Sequence, residues 1–318
     1  MSDTVGKGVY TYEEDTRWVR LPAGWSLREV ADVAVDSRDR VYVFCRGEHP
    51  LIVFDRDGGF VASWGEGTFN RPHGLTIGPD NSLYCVDDLD HTVRKYTPDG
   101  RLIFTLGVSG KPSPYHGGQP FNQPTKVALE PGTGAFYVAD GYGNARVHKY
   151  SAEGKHLFSW GRSGTDPGEF NLVHSVCTDR EGRVYVADRE SHRVQVFDAD
   201  GKYITQWNNM HRPCGLHISD EKPQRAYIGQ LPPSLPVNIR YPNLGACLSV
   251  HDLDGRRLAS IGADHPGEEK PGQFIAPHCI AVDSRGDVYV GEVAYTFFGA
   301  GQKPPREPRC LRKLVRKD

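Results

Sequence analysis

The stretch HSVCTDREGRVYVADRESHRVQVFDADGKYITQW, residues 174–207, holds three alternating apolar runs separated by short polar turns. VYV and RVQVF have the period of half-buried strands, and the D-x-x-G and D-G steps are tight-turn signals. The same layout recurs along the chain: VAVDSRDRVYVFCRGEHPLIVFDRDGGFVASWG (33–65), HGLTIGPDNSLYCVDDLDHTVRKYTPDGRLIFTLG (73–107), and a third copy from Thr125 to Gly161. A fifth copy starts as CGLHISDEKPQRAYIG and resumes at LSVHDLDGRRLASIG. A sixth starts as HCIAVDSRGDVYVGE and resumes at CLRKLVRK. Tyr42, Tyr84, Tyr137, Tyr185, Tyr227 and Tyr289 align. Six units of four strands predict an all-β, six-bladed β-propeller in one domain over 1–318. The blades are expected near 30–65, 72–107, 124–161, 172–207, 212–262 and 276–318. The last has only three strands of its own, so a strand within 14–21 (TRWVRL, Thr16–Leu21) is expected to close it and cover its open edge.

Composition fits this reading: 36 Gly and 23 Pro suit a turn-rich chain, and no run is apolar enough for a membrane helix. A net charge of −2 gives no general attraction to nucleic acid. The N-terminus lacks the layout of a secretion signal. Seven cysteines scattered without a C-x-x-C pair suit reduced thiols, so a cytoplasmic location is expected. Oligomeric state is not legible.

Counting back from each aligned tyrosine gives one position before the innermost strand: Ala31, His73, Thr125, His174, Cys214 and His278. Histidine fills it in alternate copies, so a closed ring would set His73, His174 and His278 around one axis. Three imidazoles with an open fourth position are a usual catalytic zinc arrangement; Fe, Mn, Co or Cu also accept imidazole. A lone histidine there would more often be a hydrogen-bonded structural residue. His91 and His192, at third-strand starts, read as blade-packing residues. In a hairpin, the end of strand two lies beside the start of strand one, which places Arg46, Tyr142 and Arg189 on the same rim. Arginines beside a cation suit a carboxylate, and a tyrosine there can accept a proton. Asp87, Asp140, Asp188 and Glu292 are expected to tie down loops and could orient the imidazoles. The insertions GQLPPSLPVNIRYPNLGA (229–246) and AYTFFGAGQKPPREPR (294–309) are Pro-rich and aromatic; as a lid they would offer Arg240, Tyr241, Tyr295 and Phe298 to a substrate.

These residues carry a resemblance. The units look like NHL repeats, and RPHGLTI, FYVADGYGNARV, FNLVHSV, VADRESHRVQVF and APHCIAVD resemble segments of the peptidyl-α-hydroxyglycine α-amidating lyases. The resemblance implies a six-bladed propeller with zinc on His73, His174 and His278, a catalytic Tyr142, and active-site arginines at Arg46 and Arg189. It implies a lyase cleaving the C–N bond of a carbinolamide to an amide and glyoxylate. The family's aspartate after the third histidine, its methionine two residues before it and its half-cystine beside the tyrosine correspond here to Cys279, Ala276 and Gly143. Cys279 argues against a structural Ca2+. Two alternatives stay open: a metal-dependent hydrolase such as a lactonase using the same pocket, and a non-catalytic binding platform. Retention of Tyr142 with both arginines favours the lyase.

Overall fold

The turns explain why the strands stop where they do. Asp36, Asp179 and Asp283 each accept backbone N–H groups two and four residues ahead through one carboxylate oxygen, closing the link between strands one and two. The aligned tyrosine of the following strand donates its hydroxyl back to the same carboxylate: Tyr42 to Asp36, Tyr185 to Asp179 and Tyr289 to Asp283. Tyr137 and Tyr227 reach Glu130 and Glu221 in the same way. All six aligned tyrosines are buried. Each therefore contributes roughly 1.5–3 kcal/mol of apolar burial, and in the five just named the hydroxyl keeps a partner.

The computed structural model describes residues 4–239, 241, 244–262 and 270–317. The strands form five four-stranded sheets and one five-stranded sheet, the blades of a six-bladed β-propeller. Each four-stranded sheet is an antiparallel meander, as in Val173–Thr178, Val184–Asp188, Arg193–Phe197 and Tyr203–Trp207. Backbone contacts divide the chain into two compact units. Residues 67–213 hold blades two, three and four; residues 1–66 with 214–318 hold blades one, five and six. Within 67–213 the first strands Pro72–Ile77, Pro124–Leu129 and Val173–Thr178 pack side by side.

The closing strand differs from the expected one. Tyr10–Glu14, not Thr16–Leu21, pairs antiparallel with Leu311–Arg316, and Thr4–Lys7 adds a fifth strand outside it. YTYEE alternates correctly: Tyr10, Tyr12 and Glu14 are buried, and Glu14 accepts Arg312 and Arg309. In Thr16–Leu21 the apolar signal belongs to Trp18, which packs against Phe54 and Tyr289 as a plug. That segment makes one isolated bridge, Arg20 to Gly59.

Candidate functional site

The histidine position is a point of irregular pairing, which explains how a strand residue turns toward a site. Register shifts fall between Pro72 and Gly74, Pro124 and Lys126, Val173 and Ser175, Pro277 and Cys279, and Val30 and Asp32. The skipped residues are His73, Thr125, His174, His278 and Ala31. A bulge re-aims the side chain it carries and is common beside active sites.

Opposite four of these five bulges, the acid that ends strand two fastens the approach to strand one; in blade one Cys45 stands at that place. Asp87 accepts the N–H groups of Asn70 and Arg71, Asp140 that of Asn122, Asp188 that of Asn171, and Glu292 those of Ile275 and Ala276. The acids tie loops, as expected. Where the structure shows what orients an imidazole, it is a backbone carbonyl of the next blade: His73 Nδ1 donates to Thr125 O at 2.8 Å, and His278 Nδ1 donates to Ala31 O at 2.7 Å. A carbonyl oxygen only accepts, so both rings carry their proton on Nδ1 and leave the Nε2 lone pair for a ligand.

Within 67–213, four of the expected residues come together. The Tyr142 hydroxyl lies 3.1 Å from His73 Nε2 and 3.1 Å from His174 Nε2. Arg189 Nη1 donates to the same oxygen at 3.3 Å. Both imidazoles are buried, with ring centres 5.0 Å apart. Tyr142 is set by the turn after Phe136–Asp140. Its own N–H approaches Gln123 O at 3.4 Å, and that of Gly143 donates to Asn122 O at 3.0 Å. A Cβ on Gly143 would lie 2.9 Å from Asn122 O, and closer still to the Asn122 side chain, so no larger residue fits there without movement.

A fifth residue lies at this site that the repeat register does not place there. Arg71 places its guanidinium carbon 6.0 Å from the Tyr142 ring centre, and Arg189 places its own 5.5 Å from the same centre. Its only sequence signal was nearness to His73, because Tyr142 belongs to the next blade. His91 and His192, read as packing residues, accept the N–H groups of Gln123 and Arg212 through Nδ1 and so hold inter-blade loops.

Arg189 is anchored by Glu190, which accepts its Nε at 2.7 Å and also binds Arg212. Burial alone would raise the Glu190 carboxyl, but the Arg212 hydrogen bond and the charges of Arg189 and Arg212 outweigh it and hold it down at about 2. A depressed carboxyl stabilises the fold above its ordinary value of 4.5 and loses that contribution as the pH falls toward 2. Glu190→Gln is therefore expected to lower the melting midpoint at pH 7 and to flatten its fall over that acid window. Thermal melts across pH check this; an unchanged acid slope would remove Glu190 from the account.

The 1–66/214–318 unit holds the remaining residues. His278 is buried. Arg46 donates Nη1 to Glu29 at 2.6 Å, and Glu29 also accepts the N–H and hydroxyl of Thr296 at the head of the blade-six insertion. A pocket of about 500 Å³ opens beside Arg46, lined also by Trp25, Arg28, Glu48, His49 and Glu307. Tyr295 lies under Arg28 at 4.7 Å, and Phe298 packs on the core beneath Arg306. Tyr241 is exposed, with Leu235, Val237 and Ile239, on the blade-five insertion; Arg240 lies outside the described residues. Cys279 is buried in an apolar cluster with Val30 and Val293, where a cation seeking hard oxygen ligands finds none from this residue. None of the seven cysteines, all among the described residues, forms a disulfide. No helix among the described residues is long and apolar enough to cross a membrane.

The NHL repeat model matches residues 170–197. The chain is 32% identical over 305 residues to NHL repeat-containing protein 3 of Homo sapiens, covering 89% of this chain and 81% of that protein. It is also 32% identical over 255 residues to peptidyl-alpha-hydroxyglycine alpha-amidating lyase 1 of Drosophila melanogaster, covering 72% of this chain and 44% of that protein. Among solved structures, a streptogramin B lyase superposes with a TM-score of 0.58 at 12% identity, over 99% of this chain and 87% of that one, a likeness of fold. With identity at this level over most of both chains, the protein belongs to the NHL-repeat family of β-propellers that includes NHL repeat-containing protein 3.

Proposed function

We propose that this protein is a metal-dependent lyase that cleaves the C–N bond of a carbinolamide bearing a carboxylate, releasing an amide and glyoxylate or a related carbonyl acid. The observation that carries the reading is the Tyr142 hydroxyl, held between His73 Nε2 and His174 Nε2 and capped by Arg189. Similarity to the amidating lyases supports the reaction class.

His73, His174 and His278 would hold the metal. All three are buried and each offers one ring nitrogen. The fit is chemical: His73 and His278 have Nδ1–H committed to a carbonyl, which leaves Nε2 as a lone-pair donor. One phenol proton cannot satisfy both nitrogens that face Tyr142, whereas a cation accepts lone pairs from each. Zinc suits three imidazoles best, and when bound it supplies Lewis-acid polarisation of a substrate oxygen.

The residues of the chain carry the proton and the charge. Tyr142, as phenolate, takes the proton of the substrate hydroxyl; the electron pair left on that oxygen forms the carbonyl as the C–N bond breaks, and the phenol so formed returns the proton to the departing nitrogen. Arg189 binds carboxylate and steadies the negative charge beside the phenol oxygen, and Arg46 is assigned to the same anionic substrate.

Tyr142→Phe keeps the ring and loses the proton carrier. It is expected to lower kcat by about 10²–10⁴-fold while metal content stays that of the parent. Glyoxylate release from a small α-hydroxyglycine derivative, with metal analysis of protein purified without chelators, tests the reading. Metal-free protein that turns over normally defeats it, as does lactone opening without glyoxylate release.

A further inference from the structure

We propose that Arg71 is a substrate-binding residue of the tyrosine site and selects a carboxylate together with Arg189. Arg71 stands two residues before His73, on the approach to blade two that Asp87 fastens through the Arg71 N–H at 3.0 Å. Asp88 takes Arg71 Nε at 2.7 Å and also its Nη2. Two-point pairing with a carboxylate sets the plane of the guanidinium.

The pairing does not use up the group. Nη1 has no hydrogen-bond partner among the described residues, and 36% of the side chain is exposed. Arg189 is built alike: the neighbouring Glu190 takes its Nε, and its Nη1 points at the Tyr142 hydroxyl. Two guanidiniums, each anchored through Nε by an adjacent acid, thus approach one phenol, at 6.0 Å and 5.5 Å from its ring centre. An arginine needed only to neutralise Asp88 would have no reason to sit over this ring. Two cations fixed in this way suit a planar anion brought to the phenol oxygen.

The inference rests on the lyase reading for the choice of an N-acylglycine as ligand. Its test is binding, so it is read without turnover. Hippurate (N-benzoylglycine) and its neutral amide are titrated calorimetrically into the full chain and into Arg71→Met. Hippurate binding is expected to weaken about tenfold or more in the variant, as for loss of a charge-assisted hydrogen bond, with amide binding the same in both. Because Arg71→Met strands the Asp88 carboxylate, Arg71→Met/Asp88→Asn is measured beside it with a thermal melt, and the same carboxylate-selective loss is expected. Equal hippurate affinity in all three proteins, or a parallel loss for acid and amide, overturns the proposal. So does a parent protein that does not prefer the acid. A protein that shows the Arg71-dependent preference and releases no glyoxylate keeps this inference and loses the lyase reading; glyoxylate release with a preference that ignores Arg71 does the reverse.

Discussion

His174→Ala is expected to lose the metal and turnover together. A structural partner of a metal ligand is typically worth 10–100-fold in affinity, so removal of one of three ligand nitrogens should cost more than about 100-fold. The Tyr142 hydroxyl also loses one of its two imidazole neighbours, and glyoxylate release should fall below detection. His156→Ala makes a suitable control: that ring is exposed on an outer strand and meets Ser159. Metal analysis and the glyoxylate assay on the same preparations decide the matter. If His174→Ala retains both metal and turnover, the three-histidine assignment is wrong.

Gly141→Ala is expected to damage the fold as severely as any single methyl can. A Cβ at this position would lie 2.9 Å from Val173 Cα and closer still to the Val173 carbonyl. The obstacle is backbone, in the first strand of the next blade and adjacent to His174, so no side chain can move aside. The cost should exceed about 3 kcal/mol, above the usual range for overpacking. Gly182→Ala supplies the comparison: its φ is +82° and nothing lies within 4 Å of its added Cβ, so it should cost only the roughly 1–2 kcal/mol of a left-handed residue. Denaturant unfolding of both variants checks this. Equal stabilities would mean that the seam between Gly141 and Val173 yields, and that Tyr142 is less rigidly placed than described.

Much of the site was legible because repetition turns sequence position into spatial position. His73, Tyr142, His174 and Arg189 were found by counting from aligned tyrosines, and they meet within 67–213. The acids Asp87, Asp140, Asp188 and Glu292 were read as loop ties and are loop ties. The closing strand was misplaced because TRWVRL and YTYEE both alternate. Only the fit of Trp18 between Phe54 and Tyr289, and of Glu14 onto Arg312, tells them apart.

By itself the chain determined its all-β class, its six repeats and the register of its histidines, because strand period and turn chemistry are local properties. Tertiary structure alone decided which groups face one another across blades. The bulges turn the histidines out of the strands, the neighbouring blade's carbonyls fix two of their tautomers, and Arg71 comes to lie over a tyrosine that the repeat pattern never paired with it. Those relations depend on how the first strands pack side by side, and nothing within a single repeat encodes that packing.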